Sequence, residues 1–353
     1  MRAIAITGAT VLVGRELEPI TDATVVIDGD TITTVGNESV AIPHGANEID
    51  LAGHVLAPGF IDAHVHIGFY DPHEVLAGGV TTVRDLAWPP EEIFELVGQS
   101  DDDNFEGPAI LAAGPMLTAP GGYPARASWA PPGTALELHD ATSAQRAVDD
   151  LAPRAAIIKI ALNPQAGPVL DHDVLRAIVD AAHGRGLRVT GHVEGLEQLR
   201  RAIDVGVDEL AHMLMGREPI PPSMIAEMVE SEMTVVPTLS IRTGRDRDVA
   251  IDNLDRFRTA GGTIVYGTDL GNEGPRPGID PLEVDAMAEA GMSVVDIVRS
   301  ATEGAASYLG LADVGVIAPG MKADLVAFRG EVAEGHRLLR RVARVWKRGR
   351  LVT

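Results

Sequence analysis

The pattern of apolar and polar positions changes twice along the chain. Up to about residue 56, short β-branched runs alternate with turns. Ala3–Ile6, Thr24–Ile27 and Ile32–Val35 are such runs, and Asp28-Gly29-Asp30 reads as a hairpin turn. Beyond that point, apolar runs of strand length alternate with stretches whose apolar positions recur at helical spacing, the signature of a parallel sheet with crossover helices. The pattern predicts strands at Gly59–Val65, Thr81–Asp85, Ala109–Ala113, Ala156–Ala161, Arg188–His192, Glu209–His212, Thr234–Thr238 and Thr263–Thr268. Helices are predicted at Asp173–His183, Leu196–Asp204, Pro222–Glu230, Ile251–Ala260 and Pro281–Ala290, with a closing helical stretch at Val294–Leu309. After residue 312 strands return, at Leu325–Phe328 and Val342–Lys347, with Arg348-Gly349-Arg350 as a turn.

The predicted fold is therefore α/β. A (β/α)8 TIM barrel spans residues 57–312, roughly 255 residues and close to the usual size of such a barrel. A small β-sandwich domain is assembled from residues 1–56 and 313–353. The least regular stretch, Leu117–Ser143, is rich in Pro and Gly and contains Trp129. It follows the third barrel strand and would lie over the mouth, where long loops commonly bind ligands.

Composition narrows the chemistry. The 353 residues, 45% hydrophobic, suffice for one large core and a small one. With no cysteine, disulfides, iron–sulfur clusters and thiolate zinc sites are excluded, so a metal must use His, carboxylate or a modified side chain. A net charge of −22 disfavours nucleic acid and anionic membranes. No window of membrane-spanning length is free of charges, and Met1–Gly8 lacks a long apolar leader. The expectation is a cytoplasmic protein acting on a small molecule, without nucleic-acid or membrane partners; a homo-oligomer is compatible with all of this.

In Ile61-Asp62-Ala63-His64-Val65-His66, alternation along a strand places Asp62, His64 and His66 on one face. Alone, the histidine pair reads more readily as two polar residues on a half-exposed strand. His192 and His212 end the fifth and sixth predicted strands, however, and Asp269 follows the eighth. Catalytic groups of this barrel gather at the C-terminal strand ends, so the set points to a metal centre there, with Asp62 orienting a ligand from behind. Lys159 sits in the apolar run Ile157-Ile158-Lys159-Ile160 and faces inward. A buried ammonium must be paired or modified; either a carboxylate partner or a carbamate formed with CO2 would satisfy it.

The motif Pro58-Gly59-Phe60-Ile61-Asp62-Ala63-His64-Val65-His66 resembles the signature of the amidohydrolase superfamily, and Pro319-Gly320-Met321-Lys322-Ala323-Asp324-Leu325 is similar to its return into the small β domain. Gly79-Val80-Thr81-Thr82-Val83-Arg84-Asp85 and Val236-Pro237-Thr238-Leu239 resemble the branch of imidazolonepropionase-like proteins and metal-dependent prolidases. The resemblance implies two zinc ions, one held by His64, His66 and Asp269 and the other by His192 and His212, bridged by carboxylated Lys159. It further implies a metal-bridging hydroxide as nucleophile, with Asp269 as general base, cleaving an amide bond of a peptide-like or cyclic substrate.

On the substrate side, Arg84 is a candidate for a substrate carboxylate, or else a partner of Asp85 or a helix. Tyr123, in Gly121-Gly122-Tyr123, stands where relatives often carry histidine; it is a candidate donor to the substrate carbonyl or a packing residue. Arg126, Arg217 and Arg242 are further loop candidates, and the remaining histidines are read as non-ligands. A mononuclear deaminase is the first alternative, although Glu194 comes two rather than three residues after His192. The same centre would also attack a lactone or ester. A non-catalytic relative is the third alternative, disfavoured because every expected ligand is present.

Overall fold

A computed structural model describes residues 2–37, 39–216 and 218–353. All eight predicted barrel strands are present, as Phe60–Val65, Val80–Asp85, Ala109–Ala112, Ile158–Leu162, Val189–Val193, Glu209–Leu210, Thr234–Val235 and Thr263–Ile264. The first three pair in parallel, and the last five continue in parallel in a second sheet. Backbone bonds join the two sheets at both seams. Ala156 N donates to Ala112 O at 2.8 Å on one side, while Ala63 N donates to Tyr266 O at 3.0 Å and Asp269 N to His64 O at 2.7 Å on the other. The result is a TIM-barrel-like α/β fold whose central strands are buried on both faces, as their continuous apolar runs require.

The helices follow their amphipathic stripes. His172–Gly184 buries Val174, Leu175, Ile178, Val179 and Ala182, an i, i+4 set facing the sheet. Leu196–Val205 stops at Gly206, whose left-handed φ of 82° lets the chain turn out of the helix. Two helices differ from expectation. The one expected at Ile251 begins at Gly244, because its first two turns are polar and exposed and carry no hydrophobic period. The closing stretch Val294–Leu309 breaks at Thr302, which has φ −131° and ψ −98°, into Val294–Ala301 and Glu303–Leu309.

Strands from the two ends of the chain form one eight-stranded mixed sheet. Leu325–Arg329 pairs with His54–Pro58, which in turn pairs with Ile4–Val13. The sheet thus takes in residues 4–58 and 325–351, reaching into the segment that leads to the first barrel strand. It has a core of its own, built around Ile6, Val25, Ile32, Leu56, Leu325 and Trp346.

Candidate metal centre

Strand one delivers His64 and His66, and the segment after strand eight delivers Asp269 beside them. Asp62 ties the two strands together. Its Oδ2 accepts from Thr268 Oγ1 at 2.7 Å, and its Oδ1 accepts from the backbone of His64 and of Thr268, each at 3.1 Å. It thus orients the site through the backbone and not through an imidazole. Burial pushes its carboxyl up to about 7. Asp269 itself holds a left-handed φ of 58°, and Thr238, at the end of strand seven, one of 47°. Two non-glycine residues in this region at adjacent strand ends are the local backbone strain that accompanies functional sites.

The imidazoles are oriented from behind. His64 Nδ1 lies 2.8 Å from Ala211 O and His66 Nδ1 lies 3.1 Å from Ala87 O. A carbonyl oxygen only accepts, so each Nδ1 carries a proton and, in the neutral ring, Nε2 is a lone pair. Against burial, Asp269 pulls His66 above its ordinary value, and a cation bound here would take the place of that second proton. Both Nε2 atoms stand 3.2 Å from Asp269 Oδ1. That oxygen is buried and has no hydrogen-bond partner. Three acceptors converging on one point with no donor among them fit a cation. His64, His212 and Asp269 offer ligand atoms within 4.8 Å of one another.

His192 and His212 form the second half. His192 Nδ1 is 2.9 Å from His212 Nε2, and His212 Nδ1 is 2.8 Å from Thr238 Oγ1. Burial drives His192 down to about 3 and holds His64 and His212 well below the ordinary imidazole value, so all three are neutral, as metal ligands must be. Burial works to raise Asp269; with His64 and His212 neutral, its ionised form needs a positive group facing it, which a cation held among these ligands would supply.

Lys159 is 1% exposed, with no hydrogen bond or ion pair among the described residues. Burial lowers its amine to about 7, against the pull of Asp269. Its charge acts on His64, His66, His192 and His212 alike, so it belongs to the same interior. Contacts thus join five of the six residues named as ligands from the sequence, His64, His66, His192, His212 and Asp269, while Lys159 is within electrostatic reach of them.

The substrate candidates separate. Arg84 is 1% exposed; its Nη2 donates to both Glu209 oxygens at 2.7 and 2.8 Å and its Nε to Ala63 O at 2.8 Å. The guanidinium turns into the barrel interior and is used up there, which corrects the expectation that it meets a substrate at the mouth; its partner is neither Asp85 nor a helix. Tyr123 does reach the site, its ring stacked 4.6 Å from that of His192. Trp129, from the same loop, lies 5.2 Å from His66. Arg126 is exposed, and Arg217 lies outside the described residues. Thr238, Asn163, Glu194 and Asp85 were not singled out as site residues from the sequence. Asn163 Nδ2 approaches His192 Nε2 at 3.2 Å, and Asp85 caps the turn behind His66 by accepting from Ile67 N at 2.8 Å. Nothing in the spacing of Asn163 or Asp85 marked them; Glu194 entered only through its spacing from His192, as an argument against deamination, and Thr238 only within a motif of the resemblance.

A TIM-barrel-like fold with an inward-facing His, His, Asp constellation defines the class of metal-dependent hydrolases. The chain belongs to the amidohydrolase family, whose sequence profile matches residues 55–352. It is 30% identical to adenine deaminase 2 of Rhizobium meliloti over 79% of this chain and 46% of that one. It is 25% identical to imidazolonepropionase of Streptomyces avermitilis, over 94% of this chain and 87% of the other. A crystal structure of a Xaa-Pro dipeptidase with bound methionine superposes with a TM-score of 0.85 at 23% identity, covering 99% of both chains. The protein is an enzyme that hydrolyses C–N bonds of small molecules. Among the described residues no helix is long and apolar enough to cross a membrane.

Proposed function

We propose that this chain is a two-zinc amidohydrolase that cleaves an amide bond of a peptide-like or cyclic substrate in the cytoplasm. Its catalytic unit is a closed (β/α)8 barrel of residues 57–312, with residues 1–56 and 313–353 forming a small β-sandwich domain against it. His64, His66 and Asp269 would hold one ion, His192 and His212 the other, and Lys159 would bridge them as a carbamate. When bound, zinc supplies Lewis acidity and brings a water close to neutral pKa.

The chain's own groups do the rest. The Lys159 amine, lowered to about 7 by burial, is neutral in a substantial fraction near neutral pH and can form a bond to the carbon of CO2, losing a proton. Asp269 would meet an ion through its unpartnered Oδ1, leaving Oδ2 to accept the nucleophile's proton and return it to the leaving nitrogen. Tyr123 donates its hydroxyl to the scissile carbonyl from above His192. Trp129 and Tyr123 shield the centre from solvent.

The orphaned Asp269 oxygen facing two bare imidazole nitrogens carries this reading. A screen of N-acyl amino acids, dipeptides and cyclic amides against zinc-loaded protein tests it: amine release from at least one class is expected, and hydrolysis of none would contradict it. A one-metal deaminase is the second reading. It is favoured by Glu194, whose Oε1 stands 3.8 Å from His192 Nε2, and by the likeness to an adenine deaminase. Ammonia release from adenine, with one metal per chain, would select it. Lactone or ester cleavage on the same site would show as acid release without amine.

A further inference from the structure

Arg242 caps the short turn Leu239–Ile241 that follows the seventh barrel strand. It reaches the centre, because its charge acts on both His192 and Tyr123. Yet it is poorly satisfied. Its Nε is buried with no hydrogen-bond partner. Among the described residues, the carboxylate in ion-pair range is Glu194, 3.6 Å from Nη2 and too far for a hydrogen bond. Arg84, by contrast, spends its guanidinium on Glu209 and a backbone oxygen. Arg242 is thus an arginine at the mouth with donors to spare, its side chain 15% exposed.

The turn beneath it is anchored. Ser240 N donates to Glu283 Oε2 at 2.7 Å, Ser240 Oγ to Thr268 O at 3.3 Å, and Arg242 N to Leu239 O at 3.1 Å. A guanidinium offers a planar fork that a carboxylate fills with two parallel bonds, and a fork held on a fixed turn loses little freedom in binding one. Glu194 gives it charge balance without filling the fork. Glu194 in turn is 3.8 Å from His192 Nε2, so Arg242 is two contacts from a proposed metal ligand and within one small molecule's reach of the centre.

We propose that Arg242 is the specificity residue that receives a free carboxylate of the substrate, with Glu194 as the resident counter-ion it exchanges. The compounds cleaved are then those carrying a carboxylate beside the scissile amide, such as N-acyl amino acids or dipeptides. This rests on the reading of the centre as a site of C–N hydrolysis, but its test does not depend on turnover.

Calorimetric titration of zinc-loaded protein with N-acetyl-L-phenylalanine, N-acetyl-L-methionine and their carboxamides compares charged and neutral probes of one shape. The wild type should bind the carboxylates more tightly than the amides. Arg242→Met should weaken carboxylate binding by on the order of 100-fold and leave amide binding unchanged, while Arg242→Lys keeps part of the preference. Glu194→Gln should shift affinity the other way, tightening carboxylate binding several-fold. Equal binding of acids and amides by the wild type, no binding of any acid, or a preference surviving in Arg242→Met would overturn the proposal. Amide hydrolysis with no carboxylate preference would remove Arg242's role and leave the hydrolase standing. A preference lost in Arg242→Met, with no amide cleaved, would keep Arg242's role and sink the C–N reading.

Discussion

Asp269 combines two demands that pull in opposite directions. It is buried, which favours the neutral acid, and it must stay ionised to hold a cation and accept a proton. A cation held among the neighbouring imidazoles would resolve this. Asp269→Asn should lower kcat by about 10²–10⁴-fold in metal-replete protein, the usual weight of general acid–base transfer. Near-normal turnover would remove its role as base. Tyr123→Phe preserves the ring stacked on His192 and removes the hydroxyl, so kcat should fall by about 100-fold at unchanged metal content if that group donates to the carbonyl; an unchanged kcat would reduce Tyr123 to packing. Arg84 belongs to stability instead. Arg84→Met would strand the Glu209 carboxylate in the interior, and urea denaturation should show a loss of about 3–5 kcal/mol. A change below about 1 kcal/mol would mean that water reaches the pair. The sequence showed Arg84 on the right strand but not how deep its side chain turns, because its partner Glu209 lies 125 positions away and no local pattern links them.

At the scale of elements, the barrel strands and most helices were legible because hydrophobic periodicity is a direct record of burial. Two features were not. The polar start of Gly244–Thr259 is helical without an apolar stripe, and the break at Thr302 is a backbone choice that the side-chain pattern does not encode. The helix Pro281–Glu289 carries a buried carboxyl, Glu283, that fixes the turn leading to Arg242. Burial pushes Glu283 up to about 8 from its ordinary 4.5. The folded state therefore holds this proton more tightly than the unfolded chain. The stability it gives is fully present below pH 4.5 and is lost as pH rises through about 8. Glu283→Gln keeps a neutral acceptor, so between those limits its stability should fall less with pH than the wild type's, by on the order of a few kcal/mol. Parallel pH profiles in chemical denaturation would show that burial does not raise Glu283 in the folded protein.

At the scale of the molecule, side chains spread over two hundred positions approach one another because the parallel strands of a TIM-barrel-like fold end on the same side. This is why a candidate ligand set could be named from the sequence, while the path of Arg84 could not. Ligands are fixed by strand ends, whereas substrate contacts come from loops such as Leu117–Ser143, whose path follows tertiary contacts and not periodicity. On the same logic, a metal held at this site would stabilise the folded protein. Chelation should lower the melting temperature and zinc should restore it, with about 2.7 kcal/mol gained when free zinc is at 100 times its dissociation constant. Metal analysis of zinc-reconstituted, exhaustively dialysed protein tests the central claim most directly. The wild type should retain about two zinc ions per chain, and the doubly substituted His64→Ala, His66→Ala protein about one. A folded wild-type chain that retains no zinc would contradict the account.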